Sequence, residues 1–273
     1  MKKAICTEDK TPPRRSFRAL SRRAIKPCMA VACLCGVGYA AADTLPIPDG
    51  RWRGTLSGGL SVTAGNTRST SINVGADFTR RTDSDKLHAV GTGLYATQRD
   101  NNTGNTNETS NLARAGAQYD FDLSPKIFGF GSLGLEHDEL QRLELRSVLA
   151  GGAGWHAWRR GNEFFDLSSG ISYNREQYEP QTRDTLELLF AEESGLQVSP
   201  TTTFKQRLAV FPNLQETGEY RIVFDSTLAT AITKRISLQL TLSDRYQSNP
   251  PPGVKKQNDL LFLTNISWAI GGN

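Results

Sequence analysis

The chain has 273 residues, a formal net charge of +4 from 32 Lys+Arg against 28 Asp+Glu, and a mean hydropathy of −0.44. Residues 1–42 hold nine of the basic side chains, two of the acidic ones and all four cysteines, leaving 23 basic and 26 acidic groups in residues 43–273. Beyond residue 42 this excludes a disulfide framework, a thiolate nucleophile, a Cys-ligated metal, a bundle of membrane helices and a basic surface for nucleic acid.

Residues 1–26 are polar and basic, residues 27–39 are apolar, and Ala40-Ala41-Ala42 precedes Asp43. A basic start, a short apolar run and an Ala-x-Ala site describe an export signal over residues 1–42, cut before Asp43. The apolar run is shorter than the roughly 20 residues a spanning helix needs. Residues 43–51 are read as a short periplasmic segment.

From residue 52 the chain reads as strands. In 52–64, Trp52, Leu56, Leu60 and Val62 fall on one face, with Arg53, Thr55, Ser57, Ser61 and Thr63 on the other. Strand side chains alternate with period two, so such a segment has one apolar and one polar face. Eleven more follow: 69–80, 86–98, 109–122, 127–138, 143–158, 163–176, 185–197, 202–211, 218–232, 235–247 and 258–270. Segment 236–246, ISLQLTLSDRY, is the most regular, with Ile236, Leu238, Leu240 and Leu242 on one face. Three segments are less regular. Segment 127–138 has glycines on both faces, and 202–211 puts either Lys205 or Gln206 on the apolar side. Segment 185–197 puts one of Glu192 and Glu193 there unless a bulge shifts the phase.

Short connections (82–85, 124–126, 160–162, 199–201, 233–234) alternate with longer polar ones (99–108, 137–142, 177–184, 212–217, 247–257); only 65–68 breaks the pattern. Trp52, Trp155, Trp158 and Trp268, with Phe78, Phe121, Phe128 and Phe165, fall at the short-turn end. Tyr95, Tyr173, Tyr220 and Tyr246 fall at the other. An even number of antiparallel strands, short turns on one side, long loops on the other and two aromatic belts predict an all-β antiparallel transmembrane barrel of about 12 strands over residues 52–270. Residues 271–273 form a C-terminal overhang. With no helix to cover the apolar faces, lipid is their natural solvent. The competing arrangement is a periplasmic lipocalin-like barrel with apolar side chains inside.

Trp52-Arg53-Gly54, Thr63-Ala64-Gly65-Asn66-Thr67, Arg146 leading into Leu149–Gly154, and Arg245 with Asn249 through Lys256 to Asp259 resemble the family of salt-induced outer-membrane proteins of Gram-negative bacteria. The similarity covers about residues 52–270. It implies a signal peptide and an outer-membrane barrel, and it offers no catalytic residues, cofactor or ligand. Such barrels usually end on an aromatic residue read by the barrel-assembly machinery. Here the last aromatic is Trp268, five residues before the end.

Three functions fit. As an enzyme, the barrel would hydrolyse lipid or peptide at its outer rim, where His137 lies between Glu136 and Asp138; alternation turns His137 away if its neighbours face inward, and no serine is evidently placed for it. As a channel or plug, it would use the inward polar set. That set comprises Arg53, Asp77, Arg114, Asp120, Arg146, Asp166, Arg221, Asp225 and Arg245, the candidate lumen-lining residues, together with Glu136, Lys205 and Arg207. Charges of both signs either pair across the lumen and fill it or line a narrow polar pore, where the basic residues favour anionic solutes. As an envelope-stress or structural protein, it would act through its loops. The reading preferred is a non-enzymatic outer-membrane barrel with no cofactor and no metal. Its partners are outer-membrane lipid, the assembly machinery during insertion and small solutes, with no nucleic acid.

Overall fold

Period-two alternation gives each segment one face that water repels, and a sheet of such strands is stable only if that face finds an apolar medium and no edge stays unpaired. The computed structural model describes residues 46–63, 68–99, 105–178, 181–250 and 256–271. The predicted export signal, residues 1–42, lies outside these. Twelve strands run in chain order: β1 (Trp52–Thr63), β2 (Arg68–Arg81), β3 (Asp85–Arg99), β4 (Thr106–Asp122), β5 (Ile127–Asp138), β6 (Leu143–Arg160), β7 (Glu163–Tyr178), β8 (Thr182–Ser199), β9 (Thr202–Pro212), β10 (Tyr220–Ala231), β11 (Ile236–Gln247) and β12 (Asn258–Ile270). Each pairs antiparallel with its sequence neighbours, and β12 pairs with β1, so the sheet closes into a barrel. The closing seam is short: Gly54–Gly58 against Ile270–Ile266, whereas β1 and β2 are matched from Trp52↔Arg80 to Thr63↔Ser69.

The apolar residues face outward. Leu60 is 70% exposed, Leu260 67% and Phe262 63%, and all four tryptophans are exposed at the short-turn end. The lipocalin-like arrangement is thereby ruled out, although the interior is not purely polar. Phe128, Phe130, Ala150, Leu189, Ala209 and Phe211 form a buried cluster inside the wall of β5, β6, β8 and β9. Leu94, Leu112 and Leu263 form a second, on β3, β4 and β12. Phe128, expected in the outer aromatic belt, belongs to the first cluster. The register Asp120↔Phe130 and Asp122↔Phe128 puts both rings on the interior side, where Phe128 stacks on His156 at 4.6 Å.

The irregular segments are resolved by register. No bulge falls between Phe190 and Gln197, so Glu193 faces Arg207 inside and Glu192 sits outside opposite Leu208. Gln206 also points outward, and its Nε2 donates to Glu192 Oε1 at 2.6 Å; Lys205 points in. Strand β8 begins three residues earlier than its apolar pattern. The ladder continues through Glu176↔Arg183 and Gln177↔Thr182, beyond the region where one face is apolar. The β7–β8 connection is therefore only three residues long, not the long loop expected. The β5–β6 connection is a 3-10 turn, Glu139–Gln141, capped by Asp138, with Arg142 at φ 55° closing it.

Residues 46–51 lie against the turn end of the barrel. Gly50 N–H donates to Arg81 O at 2.8 Å, and Arg80 Nε donates to Gly50 O at 3.2 Å. Arg53 reaches back from β1 to Asp49 through Nη1 at 2.7 Å and Nη2 at 2.5 Å.

Candidate functional site: the charged lumen

Between the register shifts, alternate residues of each strand face inward, so the lumen is built from twelve short rows of mostly polar side chains interrupted by the two apolar clusters. At the loop end, β4, β5, β6 and β7 bring Arg114, Glu136, Arg146 and Glu176 side by side. Glu136 accepts from Arg114 Nε at 2.7 Å and from Arg146 Nη1 at 2.5 Å. Arg146 Nε donates to Glu176 Oε1 at 2.9 Å. Across the barrel, Arg221 grips Glu187 with Nε at 3.1 Å and Nη2 at 2.7 Å and lies 3.9 Å from the centre of the Phe211 ring. Arg245 Nη2 donates to both oxygens of Asp225 at 2.9 Å. Burying an ion costs several kcal/mol unless partners satisfy it, and each arginine here has one.

At the turn end, Lys86 pairs with Asp120 at 2.9 Å, and His88 Nε2 lies 3.0 Å from Asp77. His156 lies between Asp166, at 2.9 Å from Nδ1, and Asp122, at 3.3 Å from Nε2; Arg159 also holds Asp166 at 2.8 Å. Two hydrogen bonds cross the lumen from β4. Arg207 Nη1 of β9 donates to Gln118 Oε1 at 2.9 Å. Arg114 Nη1 donates to Ser243 Oγ of β11 at 3.4 Å.

A cavity of about 1300 Å³ runs between these groups. Its lining reaches from Ile47 and Lys234 at the turn end to Gln141 and Lys256 at the loop end. Of the candidate set, Arg53, Asp77, Arg114, Arg146, Arg221, Asp225 and Arg245 line it, with Glu136, Lys205 and Arg207. Asp120 and Asp166 also face inward but stand behind Lys86 and Arg159, each about 5% exposed. The sequence reading missed Glu176 and Glu187, the deepest carboxylates of the lumen. Counting by twos from Asp166 reaches Glu176, and Leu186, Leu188 and Phe190 outside put Glu187 inside.

His137 points outward, and its Nδ1 lies 2.9 Å from the backbone oxygen of Glu144. Among the described residues, the polar contacts of the three histidines go to carboxylates, a guanidinium or a backbone oxygen, with no serine hydroxyl among them.

The chain belongs to a family of proteins of unknown function, DUF481, whose model matches residues 57–269. No curated protein matches it. Among solved structures it is similar to an outer-membrane channel, COG4313, from Pseudomonas putida F1, at 14% identity and TM-score 0.43, covering 83% of this chain and 97% of that one. It is also similar to the translocator domain of the autotransporter NalP from Neisseria meningitidis, at 13% identity and TM-score 0.39, covering 80% and 85%. Likenesses this distant carry no functional argument, which rests on the lumen alone.

Proposed function

We propose that this chain is an outer-membrane β-barrel that passes small polar solutes through its lumen and performs no covalent chemistry. The observation that carries the reading is a cavity that runs from one mouth to the other with charged and hydroxyl side chains along its whole length, among apolar ones. A plug would interdigitate across that space; here the charges pair mostly along the wall, between neighbouring strands, and leave a cavity between them. The outward Leu, Ile, Val and Phe side chains and the exposed tryptophans support insertion in lipid. The same reading takes residues 1–42 as the export signal, the short turns as periplasmic and the long loops as extracellular. It also takes the chain's resemblance to salt-induced outer-membrane proteins as a link to envelope stress.

The hydrolase alternative needs a base within hydrogen-bond reach of a nucleophile near the outer rim, and His137 is engaged on the outer face instead. Planar-bilayer recording of protein purified from membranes tests the proposal. A steady open level is expected. A silent, fully inserted barrel would replace the channel with a structural role.

A further inference from the structure

In four ion pairs of the lumen the carboxylate lies deeper than its cation. Glu176 and Glu187 are 1% and 4% exposed, and they line a small separate pocket of about 20 Å³ at the loop end, which Arg221 also lines. Their partners Arg146 and Arg221 stand in front and line the main passage. The same order holds lower down, where Asp120 is less exposed than Lys86 and Asp166 less than Arg159. Other pairs depart from it: Glu136 is about as exposed as Arg146 and Arg114, and Asp225, Asp77 and Asp49 are more exposed than their partners Arg245, His88 and Arg53. A solute in the passage still meets ten lysines and arginines against five aspartates and glutamates.

Leu189 and Phe211 of one buried cluster and Leu263 of the other also line the passage, and at the loop end Arg114, Arg146, Arg221 and Arg245 stand beside it. At that level the lining carboxylates are Glu136, Asp225 and Asp259. At the turn end Lys205, Lys234 and Arg235 line the exit, where the lining carboxylates are Asp77 and Glu193. In a narrow pore with low-dielectric walls, the charges nearest the axis set the field an ion feels, and rings of Arg and Lys select anions. A carboxylate held behind its arginine keeps the guanidinium folded in place while contributing less at the axis.

We infer that the passage is anion-selective, with the four-arginine entrance as its filter and Lys205 as a second positive station, and that its solutes are small anions of the carboxylate or inorganic type. This rests on the channel reading. The assignment makes Arg245 and Lys205 specificity-determining residues, chosen for test because they are less buried than Arg146 and Arg221.

The experiment is the reversal potential of purified protein in a planar bilayer under a potassium chloride gradient. Chloride is expected to permeate better than potassium. Lys205→Glu and Arg245→Glu should each lower the chloride-to-potassium permeability ratio, and together bring it below one; Lys205→Gln and Arg245→Gln should give intermediate ratios. Barrel content by circular dichroism identifies any variant that has failed to fold, and the glutamine forms then carry the test. Conductance with cation preference or with no preference overturns the inference and leaves the channel standing. Ratios unmoved by both pairs of variants overturn the roles of Arg245 and Lys205. No conductance in wild type overturns the channel reading and the inference with it.

Discussion

Arg221 shows how a single interior side chain is held. Its fork spends two donors on Glu187 and its flat face on Phe211, and it is 8% exposed. Arg221→Ala would leave the Glu187 carboxylate buried without its partner, a loss of about 3–5 kcal/mol. Arg221→Met combined with Glu187→Met removes both charges and should recover most of that, as urea unfolding in lipid would register. Equal losses for the single and double variants would mean that packing on Phe211, not charge, dominates. A second residue-scale expectation concerns the turn-end mouth. The Arg53 hydrogen bonds hold the Asp49 carboxyl well below the ordinary value of 3.8. A depressed carboxylate contributes stability above its unfolded pKa and loses it only as pH falls through the folded one. The 46–51 segment should therefore stay attached at pH 5 and release only in strong acid. Exchange protection of the Gly50 amide, corrected for intrinsic rate, reports this; loss of protection between pH 7 and 5 would contradict it.

At the scale of the strand, β8 and β9 carry a polar pair on the outer face, beside Ser194 and Ser226 and between apolar neighbours. Glu192 and Gln206 hydrogen-bond to each other between Leu167 and Leu208, and Glu192 Oε2 is buried with no hydrogen-bond partner. An unsatisfied polar atom against hydrocarbon is unfavourable, so replacing both residues by leucine should raise the unfolding midpoint in lipid. A drop would show that the pair secures the β8–β9 register. The opposite change on a regular strand, Leu240→Arg, should cost roughly 2–4 kcal/mol if the site is near the bilayer midplane, while Thr241→Arg, facing the lumen, should cost far less. Gly152 and Gly170 face each other across β6 and β7, and an added Cβ at Gly152 would lie 2.1 Å from the Ser169 carbonyl oxygen. Here the absence of a side chain lets two backbones approach, and alternation alone gives no sign of it.

For the whole molecule the weak point is the β1–β12 seam, with five matched residue pairs. A closed barrel has no free edge, so opening there exposes two unpaired strands at once. Residues 43–273 contain no native cysteine, which makes an engineered pair easy to read. Cysteines at Thr55 and Ala269, directly opposite each other in the seam, should raise the denaturant midpoint when oxidised and leave it near wild type when reduced. No difference between the two states would place the first opening at another strand pair.

Much of this architecture is visible in the residues because its causes are local. The two-residue period of a strand decides which side chains share a face, so Leu240 outside and Arg221 inside follow from counting, and turn composition marks where each strand reverses. The aromatic belts follow from the same count wherever the strand ends are known; they fail at Phe128, where glycines on both faces of β5 hide which side is apolar. What the period cannot supply is the offset between strands distant in sequence. The Arg207–Gln118 and Arg114–Ser243 bridges join strands five places apart around the ring. Likewise, the choice of Glu187 as partner for Arg221 depends on the stagger of β8, β9 and β10. These contacts exist only once the sheet has closed, because the tilt and stagger of a closed barrel are properties of all its strands together.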